Sequence, residues 1–415
     1  MAGRRYRVLL VATHPTQYSA PGFQRLAGDP RLEIQVVYCS LQGARSGFDR
    51  GFGREVEWDI PLLDGYPWIE LPNHSPRPGL ERFWGLVNTG IWKLIRRGHF
   101  DAVIFYTGYR YATFWIGLLA AKASGTAVLF GTDAATLDSQ DGRAWKRQAK
   151  RLLWPLIFRL PDQVTPPSPA GAELMRALGV PAERVTVTPF AVDNDWWNGQ
   201  AARVDRQAVR RAWIVSDDDL VVLFCAKLQP WKRPLDVLRA FHLANVPHSV
   251  LVLAGEGPLR GQIEAEAAAL GIADRVRLLG FVNQSQLPGT YVSADVFVLP
   301  SDYDPCPVVV CEAMLCGLPV ILSDRVPGRF DLVLPGETGE IFPCGNVSAL
   351  AEAIRKLLND RSYLSLLSRN ARQRIAGCSL DHGVAATVEA IIRAASRPGT
   401  RNRRGSGVSL PITRT

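Results

Sequence analysis

The chain has 415 residues, 48 of them Lys or Arg and 39 Asp or Glu, for a formal charge of +9. Hydrophobic residues make up 47% and charged residues 21%, which excludes wholesale disorder and gives two or three domains of ~150 residues a core each. The longest apolar stretch, Tyr111 to Ala121, falls short of the ~20 residues of a spanning helix. The short apolar run from Val8 is followed by no small-residue cleavage site, so the sequence reads as soluble and cytoplasmic.

Short β-branched runs alternate with helical stretches along the whole chain. Arg7–Thr13, Glu33–Cys39, Asp101–Tyr106, Ala127–Thr132 and Arg184–Phe190 read as strands in the first half. Leu220–Lys227, Ser249–Ala254, Arg275–Gly280, Val296–Pro300 and Pro319–Ser323 do so in the second. Pro234–Leu243 and Leu259–Leu270 have helical spacing. Several of the strands are continuously apolar, as strands buried on both faces of a parallel sheet must be. The alternation implies an α/β fold of two doubly wound domains facing across a cleft. The expected limits are 1–195, 196–378, a helix over 379–395 that packs back on the first domain, and a disordered basic tail over 396–415.

The positive charge is local. The tail from Ser396 holds five Arg and no acid, and residues 143–159 hold six bases and no acid, so the two together exceed the whole net charge. A protein coated for nucleic acid is therefore excluded. The 143–159 segment also carries Trp145, Leu152, Leu153, Trp154 and Phe158, and Arg82–Arg97 sets Trp84 and Trp92 beside Lys93, Arg96 and Arg97. Such helices either make a peripheral contact with an anionic membrane or turn their aromatics to their own core. Seven cysteines contain no Cys-x-x-Cys pair. Cys306, Cys311 and Cys316 are spaced more widely than structural zinc ligands, so they read as reduced thiols.

Two segments carry chemistry. Ala226 to Pro234 leaves an apolar strand and enters a helix, which sets Lys227 and Lys232 at a strand's carboxyl end. Fixed cations there stabilise a departing diphosphate more in the transition state than before it; the alternative is an ordinary solvated loop. Leu299 to Pro319 reads as strand, acidic loop, apolar helix and cap, with Gly317 just past the helix and Pro319 blocking continuation. The helix N-terminus around Val308 offers free N–H groups to an anion. Glu312 sits among apolar neighbours, where a carboxylate is costly unless it receives hydrogen bonds, and ribose hydroxyls are suitable donors. Asp304 precedes the helix and suits the hydroxyls of a second sugar.

These segments resemble the family 4 glycosyltransferases of the GT-B architecture, a group that generally retains anomeric configuration. Asp304-x7-Glu312, Ala313-Met314, Gly317 and Pro319-Val320 stand in register with the family's pattern, as do Lys227 and Lys232. Leu251–Pro258, Leu278–Val282 and Thr188–Asp193 match further segments. The resemblance covers residues 165–375 well and the first half in outline. It implies that Lys227 and Lys232 grip the diphosphate of a UDP- or GDP-sugar and Glu312 binds its ribose. Asp304 would contact the donor sugar, the backbone near Val282 the base, and the N–H groups of Val308 and Val309 the sugar-diphosphate. No cofactor or metal is implied. The acceptor would be a glycan, a lipid-linked molecule or a small molecule. Asp304 stands where the family usually has Glu, Pro307 where Gly is common, and Tyr106 where many relatives have His; the Thr13–Ser19 loop lacks the usual Gly-Gly.

His14 ends the first strand and is either an acceptor contact or base, or a structural histidine. Asp133, also ending a strand, binds acceptor hydroxyls or caps a helix. Two rivals remain beside transfer. A dinucleotide oxidoreductase shares doubly wound sheets, but Gly255-x-Gly257-x-x-x-Gly261 is a poor fingerprint for it. A glycosyltransferase-like protein that binds nucleotide sugar without transferring it is the rival from another class.

Overall fold

A continuously apolar strand is stable only when both of its faces are covered, and the chain meets this demand twice. A computed structural model describes residues 4–138, 143–189, 192–304, 307–326 and 332–397. Pro305, Cys306, Phe190, Ala191 and the basic tail from residue 398 lie outside the described residues.

In the first half the strands are β1 (Tyr6–Ala12), β2 (Leu32–Tyr38), β3 (Gly47–Asp49), β4 (Arg54–Val56), β5 (Trp68–Glu70), β6 (Ala102–Phe105), β7 (Ala127–Gly131) and β8 (Gln163–Thr165). Six of them form a parallel sheet in the order β5-β2-β1-β6-β7-β8, while β3 and β4 pair as an antiparallel hairpin outside it. The second half supplies β9 (Leu220–Cys225), β10 (Ser249–Ala254), β11 (Val276–Gly280), β12 (Val296–Leu299), β13 (Val320–Ser323) and β14 (Gly339–Phe342). They form a second parallel sheet, β11-β10-β9-β12-β13-β14. In both sheets the chain reverses direction across the central strand, β1 or β9. That is where an open parallel sheet leaves a crevice beyond its carboxyl ends. His14 follows β1 and Lys227 follows β9.

The helices are α1 (Ala20–Gly28), α2 (Gly90–Gly98), α3 (Ala112–Ser124), α4 (Ala144–Ile157), α5 (Pro169–Ala177), α6 (Asn194–Ala201) and α7 (Arg206–Ala212). They continue as α8 (Pro234–Ala244), α9 (Arg260–Ala269), α10 (Leu287–Val292), α11 (Val308–Leu315), α12 (Val347–Asn359), α13 (Arg361–Ala376) and α14 (Leu380–Ala395). On one face of the first sheet, Ile91, Phe114, Trp154, Phe158 and Met175 bury α2 to α5; on the other, Phe23 of α1 joins Val388 and Ile391 of α14. The last helix thus returns to the first sheet, where it contacts β6, β7 and β8. The second sheet is covered by α6, α10, α11 and α13 on one face and by α8, α9 and α12 on the other.

Residues 361–395 have the length and hydropathy of a spanning segment. They are two helices, α13 and α14, parted at residues 377–379 and buried against different sheets.

One expected strand is corrected. Over the described residues Arg184–Pro189 there is no strand: Ala182–Arg184 is a turn of 3-10 helix, and beyond it one bridge joins Val185 to Val164, while Phe190 lies outside the described residues. Thr186 and Thr188 donate to the carbonyls of Val164 and Pro166, but Pro166 and Pro167 have no N–H to return, so the ladder stops. The sheet's edge is instead β8.

Gly255 ends β10 where the backbone of the β9 loop passes close by: a Cβ there would lie 2.0 Å from the Ala226 carbonyl oxygen. Gly255→Ala is expected to cost about 1–3 kcal/mol through forced displacement of that loop, read as a lowered urea midpoint at unchanged m-value.

Candidate active site

The walls of the cleft are built from loops that leave the carboxyl ends of the two sheets. After β9 the chain passes Lys227, makes a 3-10 turn at Pro230–Lys232 and enters α8 through Arg233 in the left-handed region (φ 54°). The turn is tied to the loop after β12, since the Asp302 N–H donates to the Trp231 carbonyl at 3.0 Å. Lys232 therefore faces that loop, and its Nζ donates to Asp304 Oδ2 at 2.5 Å. Lys227 turns to the opposite wall. Its Nζ lies 2.9 Å from both Oδ1 and Oδ2 of Asp49, at the end of β3 in the first domain.

Each lysine is thus matched by a carboxylate, one from each side of the cleft. His14 shares the neighbourhood of Lys227 and Asp49. Burial pushes its pKa down to about 4, with Asp49 opposing and Lys227 adding to the shift. The ring is neutral at pH 7, and Thr13 Oγ1 lies 3.0 Å from Nδ1. Asp133, after β7, faces Asp304: burial raises its pKa and Asp304 adds to this, while Lys150 and Arg110 oppose.

On the second domain α11 starts at Val308, and Pro307, at its N-cap, supplies no side-chain cap to the first N–H groups. One turn on, Glu312 is buried, and the Tyr291 hydroxyl donates to its Oε2 at 2.8 Å. Burial raises its pKa to about 7 against the pull of that hydrogen bond. Glu312 opens onto an interdomain cavity that Tyr18, Ile60, Trp196, Trp197 and Gln284 also line. Gln284 is buried, and its Oε1 has no hydrogen-bond partner. A buried, unpaired amide oxygen facing a cavity with a carboxyl group suits a ligand that donates hydrogen bonds. Val282 packs, partly buried, on the core of this domain just past β11. Among the described residues no three His, Cys, Asp or Glu side chains gather as a metal site. The described cysteines are free thiols.

Lys227, Lys232, Asp304, His14, Asp133, Val282 and Val308 lie on loops or a helix start at the two sheets' facing ends, and Glu312 lies one turn into α11. Lys227 joins His14, Lys232 joins Asp304 and Asp133, and Glu312 occupies its own cavity. Several others were missed: Asp49, Gln229, Phe281, Asn283 and Gln284. Asn283 accepts from the Asp59 N–H at 3.3 Å and donates to the Glu57 carbonyl at 2.9 Å, closing the cleft from the other domain. One signal was available, because no strand was read between Cys39 and Asp101, a gap longer than a structureless loop should be.

Residues 205–374 match the family described as "Glycosyl transferases group 1", and residues 1–191 match the "Glycosyl transferase 4-like domain". The D-inositol 3-phosphate glycosyltransferase of Geodermatophilus obscurus is 33% identical over 431 residues, spanning 96% of this chain and 92% of that one. The chain is a GT-B glycosyltransferase. A shorter match, 33% over 167 residues, joins it to an uncharacterized glycosyltransferase of Methanocaldococcus jannaschii, with 40% of this chain and 43% of that one covered. Among solved structures the glycosyltransferase shares its fold with Anabaena Alr3699/HepE in complex with UDP and glucose (TM-score 0.70, 19% identity, 93% of this chain and 99% of that one). It also shares the fold of WaaG, a glycosyltransferase of lipopolysaccharide biosynthesis (TM-score 0.64, 15% identity, 94% and 100%).

Glu312 generates a pH prediction. Its folded pKa, about 7, lies above the ordinary glutamate value of 4.5, so the folded state holds a proton that the unfolded state loses earlier. The stability it supports is present at low pH and falls as pH rises from about 4.5 to about 7. Relative to Glu312→Gln, the wild type should lose stability across that window and run parallel to it above, as measured by urea midpoints against pH. Taking the difference removes the opposite trend contributed by His14.

Proposed function

We propose that this glycosyltransferase moves a sugar from a UDP- or GDP-sugar to a hydroxyl acceptor, with retention of configuration and without a metal ion. The observation that carries this reading is the pair of lysines at the end of β9, each held by a carboxylate at the mouth of the interdomain cleft. Cations fixed at that position suit a diphosphate leaving group, whose charge grows as the sugar–oxygen bond breaks. The N-terminus of α11, at Val308 and Val309, adds N–H groups for the same anion. Glu312 takes the ribose hydroxyls, helped by Gln284 in the same cavity, and the backbone at Val282 takes the base. Asp304, held by Lys232, is set to receive hydroxyls of the transferred sugar. The fold relative from Anabaena was solved with UDP and glucose, which favours the same donor class here.

On the acceptor side stand His14 and Asp133. A neutral imidazole whose conjugate acid has a pKa of about 4 is a weak base, so His14 suits an acceptor hydroxyl as a hydrogen-bond partner. The proton of that hydroxyl then goes to the departing phosphate oxygen, as front-face attack with retention requires. The acceptor is a glycan, a lipid-linked molecule or a small molecule.

The outer face of α4 supports a location at the inner face of an anionic membrane. Trp154 and Phe158 turn inward, while Trp145, Leu152 and Leu156 follow one another at helical spacing on the outside, exposed at 63%, 73% and 64%. An apolar stripe on the solvent side of a helix with four bases and no acid fits the interface of an anionic bilayer.

Two measurements test these readings. Lys232→Ala should lower sugar transfer or donor hydrolysis by about 10²–10³-fold, the loss of roughly 3–4 kcal/mol of transition-state stabilisation, while UDP or GDP should raise the wild-type melting temperature. Unchanged turnover would remove Lys232 from the site, and nucleotide binding without turnover on any acceptor would favour the non-transferring rival. In flotation assays the chain should follow phosphatidylglycerol vesicles in a salt-sensitive way, and Leu152→Glu with Leu156→Glu should abolish this with UDP binding intact. Equal recovery of wild type and variant would refute the membrane contact.

A further inference from the structure

Between β2 and β5 the first domain extends the β3–β4 hairpin onto the second domain, over the segments that the donor reading assigns to diphosphate and base. Lys227 Nζ meets both oxygens of Asp49 at 2.9 Å and sits 4.4 Å from the centre of the Phe52 ring. Gln229, two residues on, donates to the Gly51 carbonyl at 3.1 Å. The packing at Gly51 is close: a Cβ there would fall 2.6 Å from Lys227 Nζ. Phe52 also packs edge-on against Phe281, beside Val282, with ring centres 4.8 Å apart, and the Arg54 guanidinium lies 5.2 Å from the same ring. Just beyond the hairpin, Asp59 accepts from the Ser285 N–H at 3.0 Å.

We propose that the Asp49 carboxylate holds the place of a donor phosphate: it occupies Lys227 in the empty enzyme and is exchanged for phosphate when the donor binds. Asp49 is then a residue that sets donor affinity, an inference that rests on the nucleotide-sugar reading above. Three facts carry it. On the hairpin side two carboxylate oxygens and an aromatic face occupy the ammonium of a lysine about a third exposed, so a diphosphate that takes the place of Asp49 displaces the hairpin. A diphosphate beside an ionised Asp49 is opposed by like charge, and burial, the largest influence on this carboxyl, is outweighed by Lys227 and the hairpin N–H groups, which hold its pKa below the usual range. Finally, Asp49 Oδ1 also accepts from the N–H groups of Gly51 and Phe52, at 2.7 and 3.1 Å, so the tip keeps its own turn when it leaves Lys227.

The test uses the full chain, UDP as probe and the variant Asp49→Asn, whose amide oxygen keeps the turn while its charge is gone. UDP is expected to bind the variant about threefold or more tightly than the wild type by calorimetry, the scale of a part-exposed ion pair, with the unliganded melting temperature confirming a folded variant. Hydrogen exchange on the wild type needs no substitution: amides of residues 51–59 should lose protection when UDP binds. Unchanged or weaker binding by Asp49→Asn, or a gain of protection over 51–59, would overturn the exchange while leaving the donor reading standing. Failure of the wild type to bind either UDP or GDP would overturn both together.

Discussion

An ammonium group at the end of a buried parallel strand has to be matched by negative charge, and this requirement organises the cleft. Lys227 and Lys232 follow β9, the strand across which the second sheet reverses, so both lie where the sheet's loops part. Neither is left to solvent alone. One is met by Asp49 of the facing domain and the other by Asp304 of its own. The same demand ties the two domains together across the cleft through the Lys227–Asp49 pair.

Glu312 meets the opposite difficulty. A carboxyl group inside an apolar core has one strong partner, Tyr291, and a pKa moved to about 7. Left so, it weakens the fold. Its position becomes intelligible when the cavity beside it is included, since hydroxyl donors there would favour the ionised form. Gln284 Oε1 in the same cavity has no hydrogen-bond partner. Core polar groups are normally satisfied from within, so an unpaired amide oxygen beside a carboxyl group raised by burial suits a ligand that donates hydrogen bonds.

Much of this was legible in the sequence because it is local. The central strands are continuous apolar runs, and strand, acidic loop, helix and cap from Leu299 to Gly317 form one uninterrupted pattern. What escaped is set by partners far along the chain. β5, β8 and β14 are three- or four-residue strands containing Glu70, Gln163 or Gly339, and their neighbours, more than their own composition, make them strands. Arg184–Phe190 has the composition of a strand but meets two prolines on its partner. Asp49 lies 178 positions before Lys227, and no periodicity or spacing reports such a pairing.

The two ends of the cleft differ in a way that bears on how it opens. Near the domain junction the crossings of the chain lie against each other: a Cβ on Gly383 would sit 2.4 Å from the Pro189 carbonyl oxygen. Arg25 of α1 reaches Asp193, Asp195 and Asp381 there at 3.4–3.9 Å. Backbone packed this closely, with an arginine tied to both crossings, is the tighter of the two joints. At the other end the domains are joined through side chains of the hairpin, and the Lys227–Asp49 pair is about a third exposed. Ion pairs so open to water contribute little to stability, so parting them costs far less than disturbing either core. The hairpin contact is therefore the weaker of the two joints.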